Sequence, residues 1–249
     1  MSGAGWISAD WPAPEGIVAG CTTRLGGVSV GPYESLNLGA HVGDAADAVR
    51  ENRARLQATL DLPGEPRWLR QVHGTNVARD AAPDTEADAV VTVAADTVCV
   101  IMTADCLPVL FASSDGGAVG AAHAGWRGLA AGVLEATVAA FDRDPGELLA
   151  WLGPAISQPE FEVGDEVRDA FLAGDPGAGK AFERNDRGRW QADLYALARA
   201  RLERAGVTLI YGGGLCTHGD EARFFSYRRD GRCGRMANLV FRRARPINA

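Results

Sequence analysis

The amino-acid sequence predicts an α+β protein in which mixed β-sheets form the core and helices lie outside it. Three observations carry this prediction. Residues 87–123 hold four apolar, β-rich runs with hardly a helical interval, so adjacent strands are expected there rather than βαβ units. Helical periodicity is confined to three separate stretches, each pairing one apolar stripe with a charged face. Hydrophobic residues make up 47% of the chain and charged residues 23%, the balance of a folded globular protein rather than a disordered or fibrous one.

Along the chain, the first strand is expected over 16–23, and a helix over 44–60 follows. In that helix Val49, Leu56 and Leu60 share a stripe while Glu51 and Arg55 pair at i,i+4 on the outer face. Strands are read at 68–72, 89–93, 98–103, 109–112 and 118–123, from their apolar and β-branched content. A second helix is expected over 127–141, with Leu129, Val133, Thr137 and Phe141 on its buried side. A strand at 148–152 precedes a third helix over 192–205, striped by Leu194, Leu197, Ala198 and Leu202. Strands at 207–211 and 237–242 close the series. No repeat, low-complexity tract or long linker marks a boundary, so residues 1–249 are read as one domain.

The chain carries 25 Lys and Arg against 32 Asp and Glu, a net charge of −7, which repels phosphate backbones and anionic lipid. Neither nucleic acid nor a membrane is expected as a partner. No apolar run reaches the roughly eighteen residues of a membrane helix, and the opening stretch lacks the basic-then-apolar order of a secretory leader. A cytoplasmic protein is expected. The five cysteines, Cys21, Cys99, Cys106, Cys216 and Cys233, are odd in number and form no CxxC pair, as reduced thiols do.

Three segments hold the candidate chemistry: QVHGT at 71–75, TADCLP at 103–108 and AHAGWRG at 122–128. Each follows an apolar run, so strand ends can hold His73, Cys106 and His123 at one rim of a sheet. Singly, the thiol reads as a small core residue and the imidazoles as ordinary hydrogen-bonding groups. Together, two imidazoles and a thiolate are a ligand set for Zn²⁺, and three protein ligands with a fourth position open is the catalytic pattern. A structural zinc would need a fourth ligand, for which Cys216 and His218 in LCTHGD are the candidates. Copper is the alternative ion, with Met102 as a weak axial ligand. A multicopper oxidase, however, needs many imidazoles, and the chain has 4 histidines: His41, His73, His123 and His218. A third chemistry makes Cys106 a nucleophile with His73 or His123 as its base. Asp105 is read as orienting a histidine, in that scheme or beside a metal, or as a turn aspartate; where a metal-activated water is the nucleophile it is the candidate proton shuttle.

The motifs TTRLGG, GPYESLNLG, VGD followed by ENR, QVHGT, ADAVVT, TADCLPVLF, AHAGWRG, LGPAI, FEVG and FFSYRRDGRCGRMA resemble, in order, those of the YfiH and YlmD family. The resemblance runs from about Thr22 to about Ala237. This family has carried the label laccase-domain polyphenol oxidase and is associated with purine nucleoside phosphorolysis and adenosine deamination. The resemblance implies that His73, Cys106 and His123 correspond to the family's zinc-coordinating trio. It also implies a sandwich-like fold similar to the catalytic domain of cytotoxic necrotizing factor, where a Cys–His pair deamidates.

Purine phosphorolysis calls for phosphate-holding groups beside the anomeric carbon more than for a strong base. Arg24 lies in a glycine-rich turn able to approach an anion, and Arg127 stands at an expected helix start, where the dipole attracts the same anion. Asn37 can hydrogen-bond a ribose hydroxyl or a base edge, or cap a turn. Arg228, Arg229, Arg232 and Arg235 form a basic cluster, read either as part of the site or as a solvated loop. The function expected is therefore that of a zinc-binding enzyme phosphorolysing adenosine, inosine or methylthioadenosine, with adenosine deamination second; its partners are a nucleoside and phosphate. Its rivals are a Cys/His hydrolase or amidase acting on cell-wall precursors or proteins, a copper-dependent phenol oxidase, and a metal-stabilised binding module.

Overall fold

The computed structural model describes residues 5–80, 82 and 84–244; the ends of the one-domain reading and part of the opening stretch read for a leader lie outside the described residues. In chain order the elements begin with β1 (Trp6–Ser8), β2 (Ile17–Thr22), α1 (Ala46–Leu60), β3 (Val77–Arg79), β4 (Ala89–Thr92), β5 (Cys99–Thr103), β6 (Leu107–Ser113) and β7 (Val119–Ala124). Next come α2 (Trp126–Ala131), α3 (Val133–Ala140), β8 (Leu148–Leu152), β9 (Glu162–Val163), α4 (Asp165–Leu172), β10 (Phe182–Arg184) and β11 (Trp190–Ala192). The chain continues through α5 (Leu194–Arg204), β12 (Leu209–Gly212), α6 (Tyr227–Asp230) and β13 (Met236–Arg242).

The strands form an antiparallel sheet in the order β1-β2-β13-β5 and a mixed sheet in the order β12-β8-β6-β7-β4-β3. A small third sheet, β10-β11-β9, lies apart from both. The two larger sheets pack face to face. Residues one apart along a strand point to opposite faces, and the chain fills both. From β6, Leu110 and Ala112 enter the layer between the sheets with Ile101, Val240 and Val90. Leu107, Val109 and Phe111 turn the other way, onto Leu129, Leu134, Val138 and Leu197 of the helices. On the far side of the antiparallel sheet, Val100, Leu239 and Phe241 meet Leu56 and Leu60 of α1. Helix, sheet, sheet and helices are thus stacked in four layers. Because the central strands are buried on both faces, they appear in the sequence as continuous apolar runs rather than alternations.

Two expected elements differ. Residues 68–72 form no strand: Arg67 and Arg70 make isolated bridges, and Trp68 and Leu69 are buried as loop side chains. The expected helix over 127–141 is two helices, parted by Gly132 at φ 102°, a left-handed conformation that costs glycine little. Residues 153–191, unassigned by periodicity, hold three short strands and the eight-residue α4, which buries Val167 and Phe171.

Candidate metal centre and active site

His73, Cys106 and His123 come from three separated segments and meet at one end of the six-stranded sheet. The ligand atoms they offer all lie within 4.8 Å of one another. The Cys106 Sγ is 3.9 Å from the His73 Nε2, and the two imidazole rings meet edge-on with centroids 4.7 Å apart. His123 is buried, Cys106 half-buried and His73 exposed, so the cluster has an inner and an outward side.

Sheet topology sets this meeting. His123 is next to last in β7, and its register partner on β6 is Pro108. Cys106 sits in the turn where the chain leaves β5 in one sheet and enters β6 in the other. His73 lies on the loop ahead of β3. Two backbones are held in the left-handed region that non-glycine residues rarely adopt: His73 at φ 62° and Asp105 at φ 86°. Such residues persist where their surroundings fix them.

For His73 the fixing group is Asp88, which is wholly buried at the head of β4. One of its carboxylate oxygens accepts the His73 amide at 2.9 Å and faces the His123 Nδ1 at 2.8 Å. The other accepts the Gly74 and Val72 amides at 2.7 and 3.1 Å. A single carboxylate therefore pins the His73 loop and orients the His123 ring, leaving Nε2 to face the cluster. Burial opposes its ionisation, but the His123 ring and the Gly74 and Val72 amides outweigh this and hold Asp88 below the ordinary carboxylate range.

The donor set fits a metal. A Cβ added to Gly125 would come within 2.9 Å of the His73 Cδ2 and 3.0 Å of the Cys106 Sγ, so this position must remain a glycine for the three side chains to converge. Burial raises the Cys106 thiol, but the neighbouring His123 and His73 bring it down to about 6. Desolvation likewise opposes charge on His123, yet Cys106 and Asp88 push that ring up to about 9. The pair favours thiolate beside imidazolium; thiolate is the form that binds metal, and His123 must give up its proton to join it.

Two cavities adjoin the cluster. One, of about 240 Å³, is lined by His73, Cys106, Trp126, Arg127 and Arg228, and shares Arg127 and Arg228 with a neighbouring hollow of about 350 Å³ that Glu162, Glu166 and Arg189 also line. The other, of about 390 Å³, is lined by His73, Cys106 and His123 together with His41, Gln71 and Arg235. Met102, the axial ligand considered for copper, also lines this second cavity. Arg127 thus stands where an anion beside the cluster would lie, its guanidinium 4.3 Å over the Trp126 ring.

Three expected site residues are placed otherwise. Arg24 donates from Nε to the Glu34 carbonyl and from Nη1 to the Glu221 carbonyl, packs over Phe225 and lines neither cavity. Asn37 is fully buried, bonding Gly39, Asp44 and the Arg235 amide, so its polar groups serve the fold. Asp105 borders the smaller cavity, but its carboxylate accepts from the Thr217 hydroxyl at 2.6 Å, the Ser226 hydroxyl at 3.0 Å and the Arg228 amide at 2.7 Å. The orienting role expected of Asp105 falls instead to Asp88. Cys216 accepts from the Ser157 hydroxyl and His218 pairs with Glu160; among the described residues neither joins the three-residue cluster.

The basic cluster divides. Arg229 caps the Thr217, His218 and Phe224 carbonyls, and Arg232 binds Tyr33 and the Gly43 carbonyl. Arg228 and Arg235 are the two that reach the cavities.

Comparison with known proteins extends over almost the whole chain. The sequence model of a family described as "Multi-copper polyphenol oxidoreductase laccase" matches residues 18–243. A protein of Escherichia coli K12 named purine nucleoside phosphorylase YfiH is 52% identical over 238 residues, covering 94% of this chain and 98% of the relative. A purine nucleoside phosphorylase of Pseudomonas aeruginosa is 55% identical over 238 residues, covering 95% and 98%. Among solved structures, YlmD from Geobacillus stearothermophilus superposes with a TM-score of 0.92 at 34% identity, covering 98% of both chains. Sequence and fold agree: the chain belongs to the YfiH/YlmD family.

Proposed function

We propose that the protein is a zinc-binding purine nucleoside phosphorylase, splitting adenosine, inosine or methylthioadenosine with inorganic phosphate, and deaminating adenosine as a second reaction. The observation that carries this reading is the adjacency of the His73, Cys106 and His123 cluster to a cleft walled by Arg127 and Arg228. The names of the relatives supply the purine.

In phosphorolysis a phosphate oxygen forms a bond to C1′ while the C1′–N9 bond breaks and the base leaves with a proton. Arg127 and Arg228 hold the phosphate and offset its charge beside the cationic C1′, so no strong protein base is needed. Zinc bound at His73, Cys106 and His123 would supply Lewis acidity beside the cleft. With His73 among the metal's ligands, the proton that leaves with the base comes from the attacking dihydrogen phosphate, and in deamination the departing amine takes its proton from the attacking water. Asp105, its carboxylate already bonded on both oxygens, holds the turn that carries Arg228.

One observation favours a second reading, a Cys/His hydrolase or amidase of the kind expected from the likeness to the cytotoxic necrotizing factor domain. Cys106, brought down to about 6 beside His123, is a nucleophile in the making. The copper oxidase reading needs a trinuclear site built almost wholly of imidazole. Of the chain's 4 histidines, His73 and His123 are the two in the cluster.

Purified protein incubated with adenosine and phosphate is expected to release adenine and ribose 1-phosphate, with inosine from deamination. Metal analysis should find zinc rather than copper, and Cys106→Ala should lose both the metal and the deaminase reaction. Undiminished activity in metal-free Cys106→Ala would overturn the metal assignment. Iodoacetamide-sensitive amide hydrolysis that survives chelation, with no base released from any nucleoside, would favour the second reading.

A further inference from the structure

Tyr227 is 61% exposed, second among the large hydrophobic residues described, yet it sits at the centre of the site. Both cavities beside the metal cluster are bordered by Tyr227, Cys106 and His73, so the ring stands on the ridge between them. Among the described residues its hydroxyl has no hydrogen-bond partner. The Arg235 guanidinium lies 5.8 Å from the ring centroid, and Arg228 follows it in the chain.

The backbone beneath this free ring is rigidly held. Ser226 caps α6 by accepting the Arg229 amide, and its hydroxyl donates to Asp105 at 3.0 Å. The Arg228 amide donates to the same carboxylate oxygen at 2.7 Å, and Thr217 holds the other oxygen. Asp105 precedes Cys106, so one carboxylate ties the turn bearing Tyr227 to the turn bearing a candidate metal ligand. A flat aromatic side chain, exposed on a fixed mount between two cavities of mixed apolar and polar lining, is suited to receive another flat ring.

We propose that Tyr227 is the stacking platform for the heterocyclic base, placing a planar nitrogen heterocycle over the ridge with its sugar directed toward the cluster and the Arg127–Arg228 cleft. This rests on the nucleoside reading above and names the residue that grips the base. Asp105 is the positioning residue for that platform.

Steady-state kinetics with adenosine and phosphate test it, together with calorimetric binding of free adenine to the zinc-loaded protein. Tyr227→Ala should raise KM for adenosine and weaken adenine binding by about 10-fold or more, as loss of one aromatic–base stack does. KM for phosphate, zinc content and the thermal midpoint should stay as in the unsubstituted enzyme, because the ring is exposed and lies outside the hydrophobic cores. Tyr227→Phe should recover most of the lost adenosine and adenine affinity, since the ring and not the hydroxyl makes the stack. An active enzyme whose adenosine KM is indifferent to Tyr227→Ala overturns the platform and leaves the phosphorylase reading standing. An unsubstituted protein that turns over no nucleoside overturns both.

Discussion

At the scale of single residues, the three candidate ligands were legible because their side chains are chemically distinctive and each follows an apolar run. The group that organises them was not. Asp88 stands at the head of a run that reads as a strand, and an aspartate there looks like an ordinary strand-start turn; only the fold brings it to both the His73 loop and the His123 ring. Arg24 and Asn37 failed in the opposite way. Their donors suit a ligand, but the same donors suit backbone carbonyls, and the packed loop between β2 and α1 uses them so. Asp88→Asn should therefore lower metal affinity by about 10- to 100-fold, the usual effect of removing a group that orients a ligating histidine, measured by competition with a chromophoric chelator. The carboxyl is held below its ordinary range, so the stability it contributes is present above the unfolded value and lost as pH falls through the lowered one. In metal-free protein the stability gap between Asp88→Asn and the parent should accordingly narrow on acidification below about pH 4. An unchanged metal affinity would remove Asp88 from the site.

At the scale of elements, the strands that pack on both faces were the easiest to find, since continuous apolar runs at 89–92, 99–103, 107–113 and 148–152 leave little else to choose. Short elements escaped. β9, β10 and β11 have two or three residues each, too few for any period to show, and α4, at eight residues, is little more than two turns long. The break between α2 and α3 escaped because a mid-helix glycine is often tolerated and the stripe runs on through it. Gly132 is at φ 102°, and an added Cβ would meet nothing nearer than the Glu135 carboxylate at 3.6 Å, so the conformation and not crowding fixes glycine there. Gly132→Ala should cost about 1–2 kcal/mol in chemical denaturation, the penalty of a left-handed backbone for an L-residue. A stabilised variant would mean that the two helices can merge into the single one that the apolar stripe describes.

At the scale of the whole molecule, the cluster is a junction. Cys106 sits where the chain crosses between the two large sheets, His123 lies inside the six-stranded sheet, and His73 rides on a loop tied down by Asp88, by Gln71 to Met102 and by neighbouring bridges. A metal held by all three joins segments that the covalent chain leaves far apart, so it binds the folded state and has no such site in the unfolded one. Linkage then demands stabilisation: at free metal 100-fold above Kd the gain is about 2.7 kcal/mol. For a chain of this length that raises the melting temperature by about 5–10 °C. Chelation should reverse the rise, zinc should restore it, and His73→Ala should abolish the response while the sheets and their cores, which His73 does not enter, remain folded. A melting temperature indifferent to chelation, with metal loss verified by elemental analysis, would show that an ion at these three side chains adds nothing to the fold, which would then owe its closure at this end to the Asp88 and Asp105 hydrogen bonds.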